Sequence, residues 1–267
     1  MTKKWQILLT NDDGIQSPGL WAAAEALSRL GFVHVVAPRD QYSGAGRSLP
    51  STSEKTTKSQ EVFMLGKTWT VYSVAGSPAQ AVIHAIYEIL PQKPDLVVSG
   101  INYGENLGTG ITVSGTVGAA LEAAGNGIPA LAVSLETAPS YHLSYSKDID
   151  FFPAACLTHY FAQQVLEKPL PFDVDVLKVE VPANATCDTP WEMTRLSRQN
   201  YYVPMVPEGS LDNRIDGYRI GAIPEQDPPD TDIYVVRVKQ HVAVTPISLD
   251  LTSRVALDDL ERRLRSG

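Results

Sequence analysis

At 267 residues the chain is long enough for one large α/β domain, or a domain with a sizeable appendage. A hydrophobic fraction of 43% beside 19% charged residues is ordinary for a globular enzyme. The net charge of -8, with no basic run in the first half, argues against binding nucleic-acid polymers, whose phosphates demand clustered Lys and Arg.

From the start, Trp5 to Thr10 is an apolar run too short for a signal-peptide core or a membrane span, so the chain reads as cytoplasmic, with no membrane partner. Gln6 to Thr10 predicts a fully buried parallel strand that stops at the turn formers Asn11-Asp12-Asp13-Gly14. Ser17-Pro18 opens a helix that runs to Leu30 and ends at Gly31. Phe32 to Ala37 is the next strand, and Arg39 to Pro50 a polar, Gly-rich loop, completing a βαβ unit. Ser51 to Gln60 reads as a surface excursion. Val62 to Leu65 and Thr68 to Val74 read as a hairpin around Gly66-Lys67. Ser77-Pro78 starts a helix carrying Val82, Ile83, Ile86, Ile89 and Leu90, and Asp95 to Ser99 is a third buried strand. A Gly- and Asn-rich loop, Gly100 to Val113, leads to a helix over Gly115 to Ala124 capped by Ser114. Ile128 to Ser134 is a strand, Asp150 to Leu166 an amphipathic helix, and Val174 to Val181 a strand. The alternation predicts a Rossmann-like, doubly wound, mostly parallel sheet.

The last third changes character. Polar, Pro-bearing segments, including Pro224 to Pro229, precede Asp232 to Val238 and Val242 to Ile247, which read as an extended hairpin projecting for subunit contacts. The division is one domain over 1–267, with a core of about 1–182 and an oligomerisation extension of about 183–267. Arg262, Arg263 and Arg265 read as a solvated face of a terminal helix. Cys156 and Cys187 form no CxxC or zinc pattern; they are free thiols or a pair, and the free-thiol reading is favoured.

Ligands of an open parallel sheet bind at the carboxyl ends of its strands. Three such ends carry unusual loops: Asn11 to Gly14, Asp40 to Gly44, and Ser99 to Gly104. Asp12, Asp13, Ser43 and Asn102 then offer only hard oxygen donors, which suit Mg²⁺, Mn²⁺ or Ca²⁺. A dication also relieves the repulsion between adjacent carboxylates, whereas Asn-Asp-Asp-Gly by itself is more often only a turn and signals a metal only in combination with the other loops. Ser114-Gly115-Thr116 at a helix start offers free amides, a helix dipole and two hydroxyls to an anion. Tyr103 can stack on a base or simply pack. The five histidines read as structural or surface residues. No Gly-x-Gly-x-x-Gly follows the first strand, and no Walker Gly-Lys-Ser/Thr or Gly-x-Ser-x-Gly elbow is present.

Four ordered motifs carry a resemblance across nearly the whole chain. They are Leu9 to Gly14, Ser43 to Ser48, Ser99-Gly100-Ile101-Asn102 with Gly104, Asn106 and Gly108, and Ser114 to Ala120, with Val244 to Ile247 and Asp250 to Thr252 as a late match. In these the chain resembles the survival protein SurE family of metal-dependent 5′/3′-nucleotidases and phosphatases. The resemblance implies one divalent ion per subunit on Asp12, Asp13, Ser43 and Asn102, with Asp12, Asp13 and Asn102 as the catalytic group. It implies phosphate contacts from Ser114, Gly115 and Thr116, with Asn11, Gly44 and Asn106 at the same site. It also implies nucleoside monophosphates as substrates and a homodimer or homotetramer built through the C-terminal extension. Direct attack by water and an aspartyl-phosphate intermediate both fit the residues, and water is favoured because Asp12 and Asp13 are both committed to the metal. Tyr42, Val113 and the stretch Gly76 to Ala81 depart from the family pattern without removing a metal donor. The competing reading is a non-catalytic nucleotide- or phosphate-binding regulatory protein using the same anion site.

Overall fold

The computed structural model describes residues 4–51, 56–205, 217–221 and 227–266. A nine-stranded sheet runs through it. Strand β1 (Trp5–Thr10) lies between β2 (Gly31–Pro38) and β5 (Leu96–Tyr103), parallel to both. The parallel sheet continues through β4 (Lys67–Val74) beyond β2, and through β6 (Ala130–Leu135) and β7 (Val176–Val181) beyond β5. Its margins break the pattern. β3 (Thr57–Met64) is antiparallel to β4, β11 (Val242–Ile247) is antiparallel to β7, and the short β8 (Trp191–Met193) runs parallel to β11 at the far edge.

The apolar run in β1 explains the layering. Ile7, Leu8 and Leu9 are all fully buried, and successive side chains of a strand point to opposite faces. Ile7 and Leu9 pack with Leu20 of α1 (Pro18–Leu27) and Phe161 of α4 (Phe152–Glu167) in one core. Leu8 packs with Val82 of α2 (Pro78–His84) and Val117 of α3 (Gly115–Gly125) in the other. A sheet covered on both faces needs no polar alternation. Each such Leu or Ile contributes roughly 1.5–3 kcal/mol by leaving water. The doubly wound prediction is therefore met.

Several element boundaries move. β3 begins at Thr57, inside the predicted excursion, of which residues 52–55 lie outside the described residues. β5 runs on through Gly100 and Ile101 to Tyr103, its register against β6 shifting between Ser99 and Asn102. Asn102 therefore sits at a strand end and not in a loop.

The predicted strand Asp232 to Val238 is instead helical. α5 (Asp232–Tyr234) continues into a π-helical turn over Val235–Lys239. Thr231 caps it by accepting the Tyr234 N–H, and Ile233, Val235 and Val236 are buried against Leu107, Tyr201 and Ala243. A β-branched run such as this fits either period, and here the cap and the packing decide. No 232–247 hairpin projects, because β11 is built into the main sheet between β7 and β8. An antiparallel ribbon does form from other residues, β9 (Tyr202–Pro204) and β10 (Tyr218–Ile220). The segment Pro224 to Pro229 lies partly outside the described residues. α6 (Leu257–Arg265) is exposed along its length, Arg262, Arg263 and Arg265 included, as the basic cluster predicts. Among the described residues no helix is long and apolar enough to cross a membrane.

The free-thiol reading of the cysteines is overturned. Cys156 on α4 and Cys187, in the segment after β7, form a disulfide with Cα atoms 5.5 Å apart. Nothing in a separation of 31 positions announces it; only docking of the C-terminal segment beside α4 brings the two together. Reduction of the bond, or Cys156→Ser, is expected to lower stability by about 2–4 kcal/mol, read as a fall in the denaturant midpoint; an unmoved midpoint refutes this.

Candidate active site

β1 and β5 are neighbours from which the chain winds in opposite directions, and the loops leaving their carboxyl ends, with the loop after β2, converge there. Asn11-Asp12-Asp13-Gly14 leaves β1 as a tight turn. The fully buried Asn11 closes it, donating to the Gly14 carbonyl at 3.0 Å and accepting the Gly14 N–H at 3.2 Å. Asn11 is thus a turn residue.

Asp12 faces the start of α3. The Thr116 hydroxyl donates to its Oδ1 at 2.5 Å, and the backbone N–H groups of Gly115 and Thr116 also donate to the carboxylate. The helix N-terminus, with its partial positive charge, here holds a carboxylate of its own chain. Only glycine permits the approach, because a Cβ on residue 115 would lie 2.7 Å from Asp12 Cβ and 2.8 Å from its Oδ2. One turn on, a Cβ on Gly118 would meet the Gly46 carbonyl oxygen at 2.3 Å, so the loop after β2 also rests on α3. Ser114 is the N-cap, accepting the Val117 N–H at 3.1 Å.

Asp13 accepts the Tyr103 N–H at 3.2 Å and the Gln41 side-chain amide at 3.3 Å. Burial raises the carboxyls of both Asp12 and Asp13, Asp13 well above the usual range because the Asp12 charge adds to desolvation. Among the described residues no Lys, Arg or His forms an ion pair with either. Two buried carboxylates without a cationic side chain fit a dication.

The remaining donors agree with that fit. Asn102 commits its amide nitrogen to the Tyr103 and Gly104 carbonyls at 3.3 and 2.7 Å, which leaves its oxygen as the end available to a cation. Ser43 lies in the loop whose Tyr42 N–H donates to the Asp12 carbonyl at 2.7 Å. That loop is braced from α2. The Ser77 hydroxyl donates to the Ser48 carbonyl, and Gln80, which completes a capping box with Ser77, donates to the Pro50 carbonyl. The sequence departures at Gly76 to Ala81 thus have a structural role.

A cavity of about 690 Å³ opens on this array. Asp12, Ser43, Gly44, Asn102, Asn106 and Ser114 line it together. Asn11, Asp13, Gly115 and Thr116 stand behind that wall. The other end is aromatic, with Tyr201, Tyr202, Tyr218 and His142. Sequence reasoning missed these four; the available signal was the tyrosine pair set in a polar segment, where rings have little core to join. Tyr103 is 3% exposed, packs edge-on against Phe151 at 4.7 Å and donates to the Ser146 carbonyl, so it is chiefly a packing residue.

His142 lines the cavity and is held there by structural bonds, in keeping with the structural reading of the histidines. Its Nε2 meets the Thr137 carbonyl at 3.2 Å, so Nε2 carries the proton, and Nδ1 accepts from the Tyr218 hydroxyl at 2.6 Å. Burial pushes its pKa down, which favours the neutral ring. His34, His84, His159 and His241 bond Gln6, Glu88, the Ala26 carbonyl and Glu192.

Residues 7–203 match the family model described as Survival protein SurE. A 5'-nucleotidase SurE of Thermococcus gammatolerans is 44% identical over 261 residues, covering 97% of this chain and 96% of that protein. One of Methanocaldococcus jannaschii is 41% identical over 268 residues, with 97% of each covered. The crystal structure of the Sure protein from Aquifex aeolicus superposes with a TM-score of 0.75 at 32% identity, covering 97% of this chain and 99% of that one.

Gly115→Ala is expected to push Asp12 off the start of α3 and to lower stability by about 1–3 kcal/mol through overpacking, measured by thermal unfolding. A variant as stable as the parent would show that the close approach is not required.

Proposed function

The chain belongs to the survival protein SurE family, and on that premise we infer that it is a 5'-nucleotidase, hydrolysing nucleoside 5'-monophosphates, and 3'-monophosphates with them, to nucleoside and phosphate. It is an enzyme of the phosphoric monoester hydrolase class. The observation that carries the reading is the two-ended cavity, with hard oxygen donors at one end and a wall of aromatic rings at the other. A phosphate fits the first and a base the second.

The activity depends on a divalent ion, Mg²⁺ or Mn²⁺, with Ca²⁺ able to occupy the site in crystals. Asp12, Asp13, Ser43 and Asn102 hold it. When bound it supplies Lewis-acid polarisation of the phosphoryl group and neutralises charge there. Ser114 and Asn106 line the cavity beside these donors and bind the remaining phosphoryl oxygens, with Gly44 on the same lining. Donors held in place before the reaction act on charge as it develops, without reorganisation. Gly115 and Thr116 act one step back, by fixing Asp12.

Water is the nucleophile. The Asp12 carboxylate is already engaged by a hydroxyl and two amides, and Asp13 by an amide and a side-chain amide, which supports holding and orienting roles for both over nucleophilic attack. Tyr202 and Tyr218, held in register with His142, bear on the nucleoside. The assembly is a homodimer or homotetramer formed through the C-terminal segment. Support comes from α6, where Leu257, Leu260 and Leu264 are 63%, 43% and 74% exposed. Apolar side chains of that size have little reason to line a helix that faces only water.

Phosphate release from a panel of nucleoside monophosphates and p-nitrophenyl phosphate, with Mg²⁺, Mn²⁺ or EDTA, tests the reading. Release that needs the ion and falls roughly 10²–10³-fold in Asp12→Asn is the expected outcome. No release from metal-loaded protein overturns it and leaves a non-catalytic nucleotide-binding role.

A further inference from the structure

Beneath the loop that follows β5 lies a group of charges that the chemistry above does not use. Lys178 and Glu180 on β7 and Asp232 on α5 are each fully buried, and none lines the cavity. Lys178 Nζ lies 3.1 Å from Asp232 Oδ2 and 3.3 Å from Glu180 Oε1. It also donates to the Asn106 carbonyl at 2.8 Å. Glu180 Oε2 accepts the Asn106 N–H at 2.8 Å. Glu180 Oε1 accepts the Ser134 hydroxyl at 3.3 Å, and Ser134 in turn accepts the Asn106 side-chain amide at 3.0 Å. Asp232 Oδ2 accepts the Gly108 N–H at 3.0 Å, two residues along the same loop.

The N–H, the carbonyl and the side-chain amide nitrogen of Asn106 are therefore all held, directly or through Ser134, by this one cluster. What remains for the cavity is the Asn106 side-chain oxygen and one amide hydrogen. Burying an amine and two carboxylates costs several kcal/mol per ion before their mutual attraction is counted, and apolar residues of equal volume would commonly stabilise the fold as well or better. An apolar trio could not fix three polar groups of a loop residue. The arrangement is thus better accounted for by placement than by stability.

We propose that Lys178, Glu180 and Asp232 form a positioning clamp that holds Asn106 in the phosphate end of the cavity, so that residues out of reach of substrate set the affinity for the phosphoryl group. The proposal rests on the nucleotidase reading and adds to it a source of binding energy separate from the metal donors.

The test compares Glu180→Gln and Ser134→Ala with the parent in the full chain with Mg²⁺. It reads kcat and KM for a nucleoside monophosphate, the Kd of inorganic phosphate by calorimetry, and the half-saturating Mg²⁺ concentration. In Glu180→Gln the new amide would keep one acceptor but turn an NH₂ toward Lys178 and Ser134. KM and phosphate Kd are expected to rise about 10-fold, the worth of one to two hydrogen bonds, with kcat and the Mg²⁺ requirement near parental values. Ser134→Ala, which removes one hydroxyl from the relay, should raise the phosphate Kd roughly 3-fold. In an Asn106→Ala background Ser134→Ala should have no further effect, because the side chain it steadies is gone. Unchanged KM and Kd in folded variants would overturn the clamp, as would a loss confined to kcat. Should Glu180→Gln fail to fold, Ser134→Ala decides. A parent that binds phosphate but turns over no nucleotide sinks the nucleotidase reading alone, since the phosphate titration still reads the clamp.

Discussion

A carboxylate taken out of water must find donors or a cation, and the strand-end region is organised around that requirement at Asp12. With 5% of its surface exposed, Asp12 takes the Thr116 hydroxyl and two amides from the first turn of α3. To deliver them, the helix must come within van der Waals contact of the β1 turn, which is why residue 115 is glycine. The same closeness draws the loop after β2 onto Gly118 and sets the Tyr42 N–H against the Asp12 carbonyl, so Ser43 follows Asp12 into place. Asp13 behind it is steadied by Tyr103 from β5, the strand end that also supplies Asn102. One electrostatic demand thus ties β1, β2, β5 and α3 into a single array of oxygen donors.

The C-terminal third supplies the remainder of the cavity, and does so from within the fold. β11 lengthens the sheet beyond β7, α5 and its π-helical continuation bury Ile233, Val235 and Val236, and the β9–β10 ribbon sets Tyr202 and Tyr218 beside His142. Asp232 sits where these parts meet the loop after β5. A segment whose polar, proline-bearing composition suggests an appendage is in fact one wall of the site and part of its foundation. The cavity therefore has two chemical ends drawn from two parts of the chain, which suits a substrate that is itself half phosphate and half aromatic base.

Legibility followed the range of the interaction. The buried β1 run, the Ser114 cap and the Ser77-Pro78 start are local signals, and each element formed where its residues placed it. The same holds for the donors Asp12, Ser43 and Asn102, because a parallel sheet delivers its strand ends to one edge whatever the details of packing. Gly115 and Thr116 were legible as a helix start, but not as partners of Asp12, since a free N-terminus can serve any anion, including one from the same chain. The run Asp232 to Val238 misled because Ile, Val and Tyr suit a strand as readily as a buried helix, and the packing of Ile233, Val235 and Val236 with Leu107 and Tyr201 decides between them.

By itself, then, the sequence determined the doubly wound core, the family, and the gathering of Asp12, Ser43 and Asn102 at one cavity, all of which depend on periodicity and on residues close together in the chain. Tertiary structure alone decided the Cys156–Cys187 bond, the helical fate of Asp232 to Lys239, the aromatic wall, and the buried Lys178, Glu180 and Asp232 beneath Asn106. The physical reason is common to all four. Each joins residues separated by tens of positions, and a one-dimensional pattern records which side chain is available but not which distant backbone will be folded against it.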